Sequence, residues 1–167
     1  NSNALTGSNA LLVGPALSLG SIGSNLIPTQ STSGGTVALS NSNDLSGTTT
    51  VNSGTLSFTG ANGSLAGSDV TVKSGATLNF APSTASSVTR IKSAALNGST
   101  LSVTGPSFAT TDTITGAVTL NTGANTLTVT PGTTGSNTLS AASLGRTAGT
   151  GWALVNGVNL GKDSTTT

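Results

Sequence analysis

The chain has 167 residues, enough for one domain with a real core. Only 5% of them are charged and 2% aromatic, the formal net charge is +1, and there is neither His nor Cys. Without a basic stripe the chain lacks what nucleic-acid binding or a membrane-surface helix requires, and without thiols it has no disulfides and no thiolate metal site. About a third of the chain is Ser or Thr, well above the globular average. That composition, charge-poor and Thr-rich, points to an all-β fold.

The first element in chain order is an apolar N-terminal segment within residues 1–33. Its core, "NALLVGPALSLGSIG", Asn9 to Gly23, is too short and too often broken by Gly and Pro to span a bilayer. No Lys or Arg precedes it, so it does not read as a signal peptide. It reads as a cap or as a strand donated to a neighbour, and Leu11, Leu12, Val13, Leu17, Leu19 and Ile22 are the candidate self-association residues.

Residues 34–157 carry one phrase five times: "GGTVALS" from Gly34, "SGTLSFT" from Ser53, "GATLNFA" from Gly75, "GSTLSVT" from Gly98 and "ANTLTVT" from Ala124. Each copy is a turn residue, a Thr, an apolar residue, a small residue and a second apolar residue. Strict alternation of this kind makes a strand with one buried face. The inward pairs are Val37/Leu39, Leu56/Phe58, Leu78/Phe80, Leu101/Val103 and Leu127/Val129. A second short apolar stretch precedes the later copies: Val51, Val70/Val72, Ile91 and Val118/Leu120. Between the two lie corners, "NSG", "KSG", "LNG" and "NTG", whose Gly and Asn tolerate left-handed backbone. Residues 158–167 read as a tail or the start of a further coil.

Short strands joined by corners, in coils of about 19–26 residues, describe a right-handed parallel β-helix, a β-solenoid whose coils bury their apolar faces only by stacking. A β-sandwich is the alternative, although it gives no reason for one phrase to return. Stacking predicts an outward threonine ladder of Thr36, Thr55, Thr77, Thr100 and Thr126, each cross-strand pair contributing about 0.2–1 kcal/mol. It also makes Asp69 and Lys92 coil-to-coil neighbours.

The residues "TTTVNSGTLSFTGANGSLAGSDVTVKSGATLNF", Thr48 to Phe80, resemble the autotransporter-associated β-strand repeat, which alternates such "tVnsGtL" and "vtVnsGatL" phrases. "NTLSAASLGRTAGTGWALVNG", Asn137 to Gly157, is similar to a segment that recurs in long surface proteins carrying that repeat. The resemblance implies a right-handed parallel β-helix at the bacterial cell surface or outside the cell. It implies no activity, because the repeat is a structural spacer.

Chemistry has few residues to work with. Nucleophilic catalysis lacks a His base. Glycoside hydrolysis needs two carboxylates at a set separation, whereas Asp44, Asp69, Asp112 and Asp163 fall at different places in their coils and read as solvated surface groups. No cofactor and no metal is expected, and Trp152 reads as packing in the last coil. The expected function is structural and non-enzymatic: a unit of a bacterial surface fibre or self-assembling filament, its partner another copy of itself or flanking parts of a longer chain. A stalk of an autotransporter-like adhesin is the alternative, and a polysaccharide-active β-helix enzyme a remote one.

Overall fold

A computed structural model of the chain describes residues 10–12, 16–19, 27–29, 35–43, 45 and 47–157. All regular structure among them is β-strand. The strands are β1 (Ala10–Leu12), β2 (Ala16–Leu19), β3 (Ile27–Thr29), β4 (Thr36–Leu39), β5 (Thr48–Val51), β6 (Thr55–Thr59), β7 (Leu65–Val72), β8 (Thr77–Ala81), β9 (Ser86–Asn97), β10 (Thr100–Thr104), β11 (Thr110–Thr130), β12 (Asn137–Arg146) and β13 (Gly151–Gly157).

Every pairing between these strands is parallel. The sandwich alternative therefore falls, since its sheets are built of antiparallel strands. One sheet runs β1-β3-β5-β7-β9-β11 and ends on β12; the other runs β2-β4-β6-β8-β10-β11 and ends on β13. Strand β11 passes through both sheets: Thr110–Leu120 pairs with β9 and β12, and Gly123–Val129 with β13 and, in part, β10. The chain thus winds as a β-solenoid, crossing from the first sheet to the second and back in each turn.

From β5 onward the crossing from first to second sheet is made at corners marked by Gly, the last of them between β12 and β13 at Gly149 (φ 79°). Gly54, Gly75, Gly98 and Gly123 have φ of 69°, 76°, 70° and 67°, a region that costs any residue with a Cβ about 1–2 kcal/mol. The alternating pattern does the rest. On the second sheet Val37, Leu56, Leu78, Leu101 and Leu127 stand in one column, and Leu39, Phe58, Phe80, Val103 and Val129 in another. All are buried except Val129, which is half-buried against the core. The Phe58 and Phe80 rings lie 5.7 Å apart at 52°, a tilted contact of the favoured kind.

The first sheet supplies the facing columns Val51-Val72-Leu96-Leu120 and Val70-Ala94-Val118. Ile91, the apolar residue noted ahead of the fourth copy, stands outside these two columns. Ile91 instead sits between Leu65 and Ile114, because the register slips between Thr113 and Ile114 and leaves Arg90 as an extra residue in β9. Such a bulge turns two successive side chains the same way, and Arg90 and Ile91 are both fully buried.

The apolar N-terminal strands join the same stack. β2 pairs with β4, placing Leu17 beside Val37 and Leu19 beside Leu39. β1 pairs with β3, placing Leu11 beside Pro28 and Leu12 beside Thr29. These backbone positions are taken up within the chain's own solenoid. Val13, Ile22 and residues 158–167 lie outside the described residues.

Candidate assembly surface

The threonine ladder is in register from coil to coil, Thr36 with Thr55, Thr77, Thr100 and Thr126. All five are half-buried on the outer side of the second sheet. Across this face a hydrogen bond joins the neighbouring outward column, Asn79 Nδ2 donating to Ser57 Oγ at 3.2 Å. The ladder makes a flat, uncharged wall that holds coils together and brings no reactive group to the surface.

Among the described residues charged side chains form two pairs, both between adjacent coils. Lys92 Nζ lies 3.0 Å from Asp69 Oδ2 on the exposed face of the first sheet. Ser93 Oγ donates to Asp69 Oδ1 at 2.6 Å. These hydrogen bonds, that from Ser93 first, hold the Asp69 carboxyl below its ordinary value. An exposed pair of this type is worth about 0–1 kcal/mol.

The second pair is inside. Arg90 Nε lies 2.5 Å from Asp112 Oδ1, with both side chains fully buried, and Arg90 Nη1 donates to the Gly63 carbonyl at 2.6 Å. Asp112 is therefore not the solvated surface group expected from its sequence. Burial raises its pKa and the Arg90 hydrogen bond opposes the rise. The signal was in the alternation: Asp112 stands two residues before inward Ile114, and Arg90 stands one coil earlier. Asp44 and Asp163 lie outside the described residues. Asp69 and Asp112 occupy opposite sides of the first sheet's wall, and among the described residues no three His, Cys, Asp or Glu come together. No described helix is long and apolar enough to cross a membrane.

The distinctive surface is the C-terminal coil, β12 and β13. Its residues continue the interior columns: Leu144 follows Val118, Val155 follows Leu127, and Gly157 follows Val129. In earlier coils such positions are sealed by the next turn. In this one Leu144 is 57% exposed and Val155 49%. Leu154, next to Val155, is 53% exposed, and Trp152, expected to pack, is 58% exposed at the corner opposite Ala124. Among the described residues no strand stacks on the outer side of Trp152; its ring lies open while its carbonyl accepts a bond from Asn125 Nδ2 at 3.2 Å. Among the described residues β12 and β13 pair only with β11, so their outer edges carry unpaired backbone groups above an apolar floor.

The register says what would fit there. Along the second sheet the positions of Leu17 and Leu19 in β2 belong to the columns that end at Val155 and Gly157. Along the first, Leu12 belongs to the column of Thr29, Thr50, Thr71, Ala95, Thr119 and Gly145. One residue back, Leu11 takes the column of Leu144. A further coil that continued these columns with the residue types of Leu11, Leu17 and Leu19 would set apolar residues beside Leu144, Val155 and Gly157. No protein-family model, curated protein or solved structure matches the chain.

Proposed function

We propose that this protein is a structural, non-enzymatic unit that lengthens by stacking coil on coil, a building block of an extracellular bacterial surface fibre. The observation that carries the reading is the open C-terminal coil, whose interior columns run to the surface at Leu144 and Val155. A parallel solenoid has two chemically different ends, so copies join head to tail, and a contact of that kind propagates as a filament. Strand edges left unpaired template further strands. The placement outside the cell and the kinship with autotransporter-associated repeats rest on the resemblance of Thr48 to Phe80 and on the cysteine-free, charge-poor composition.

The same open coil also suits a stalk, in which the next coil comes from a longer chain instead of a second copy. Electron microscopy of the purified chain at rising concentration separates the two. Fibres with an axial repeat built from the strand spacing of about 4.8 Å are expected for a filament unit. Val155→Asp and Leu144→Asp should each raise the concentration needed for assembly at least tenfold. Short monodisperse rods at every concentration would favour the stalk.

A further inference from the structure

The last coil carries one residue that does not suit stacking. On the first sheet the column Val51-Val72-Leu96-Leu120 is apolar through four strands, and its next position, on β12, is Arg146. Parallel in-register strands keep a column on one side of the sheet, so Arg146 holds an interior position at the end of the stack. Its side chain is exposed, and among the described residues no further coil covers it. A coil added there would have to bury a guanidinium or force it aside.

The chain shows what an interior arginine requires. Arg90 on β9 is covered by the next strand of the sheet, β11, and that strand brings Asp112 to within 2.5 Å. Burying a charge is tolerated when the covering coil supplies its counter-charge and is costly when it does not. The strands of the first coil, Ala10–Leu12 and Ala16–Leu19, contain no acidic residue. In a head-to-tail contact Arg146 thus gains no carboxylate from the incoming strands.

We infer that Arg146 is a gate on end-to-end growth: an inward charge at the terminal coil that opposes the addition of a second copy and keeps assembly to high protein concentration. Natural sheets blunt open edges with charges placed in this way. The inference rests on the stacking proposed above and gives that site a restraint. The charge is responsible, and the bulk of the side chain is secondary.

The test is the concentration at which the full chain begins to form filaments, read by sedimentation and electron microscopy, for the wild type, Arg146→Leu and Arg146→Lys. Arg146→Leu should assemble at a concentration at least tenfold lower, with Arg146→Lys within about twofold of the wild type. If all three assemble at the same concentration, the gate is overturned and the stacking reading stands. If Lys and Leu lower it equally, side-chain size and not charge is at work, which also overturns it. If none assembles at any concentration, including Arg146→Leu, both the gate and the end-to-end reading fall.

Discussion

Arg90 and Asp112 sit where an apolar pair would serve the core without a desolvation cost. Asp112 lies between Val88 and Leu139 in its column, and Arg90 is the bulged residue of β9. Removing one member leaves a buried charge alone, which costs about 3–5 kcal/mol, whereas replacing both with apolar side chains is far milder. Urea denaturation of Asp112→Leu is therefore expected to show a loss of that size. The Arg90→Met/Asp112→Leu double variant should recover most of it, and a double variant as unstable as the single one would show that the pair is not acting as a pair. The inward residues of the repeat were legible because Leu56, Phe58, Leu78 and Phe80 obey strict alternation beside a recurring Thr. Arg90 was not, because the bulge breaks the alternation at the residue it turns inward. Asp112 kept the phase, but an isolated carboxylate gives no sign in sequence of the partner that another coil will bring.

Corners fasten the strands to one another, and one corner does so across three coils. Asn125, 1% exposed, accepts the backbone N–H groups of Gly98 (2.9 Å) and Ser99 (3.2 Å) through Oδ1. Its Nδ2 donates to the carbonyls of Thr122, Gly123 and Trp152, each at 3.2 Å. The amide thereby ties β10's entry, its own corner and the start of β13 together. Asn125→Ala leaves buried donors without an acceptor, a penalty of about 1–3 kcal/mol. Thermal unfolding should show the loss, and proteolysis should cut first at the start of β13, which loses its tie to Asn125 at Trp152. The corners themselves could be read from "NSG", "KSG", "LNG" and "NTG", since positive φ selects Gly. The asparagine staple could not, because Asn125 stands where the other copies have Gly35, Gly54, Ala76 and Ser99, and its role exists only once neighbouring corners are stacked. The N-terminal strands were hidden for a related reason: "ALLVGPALSLG" lacks the turn-Thr-apolar phrase, so its membership of both sheets shows only in the pairing of β1 with β3 and β2 with β4.

Stability in a stack of this kind is a sum of coils and of the contacts between neighbours. A middle coil is sealed on both sides and the C-terminal coil on one. Hydrogen exchange should therefore be slowest in β8, β9 and β10, where Leu78, Phe80, Leu96 and Leu101 are fully buried. It should be fastest in β12 and β13, which open with little loss of buried surface. Uniform protection from β6 to β13 would mean that the solenoid opens only as a whole. Under filament conditions the fast amides of β12 and β13 should slow selectively, since those edges are the ones that become covered. The register also makes equivalent residues into interchangeable seats. Thr55 and Thr77, like Leu56 and Leu78, hold the same place in successive turns. A cut from Leu56 through Thr77 would join Thr55 to Leu78 and leave each lateral neighbour a residue of its own column, while the loss of a single residue would displace every seat after it. Length in this molecule therefore comes in whole turns, and duplication or excision of a turn is the change its lineage can absorb without redesigning the rest.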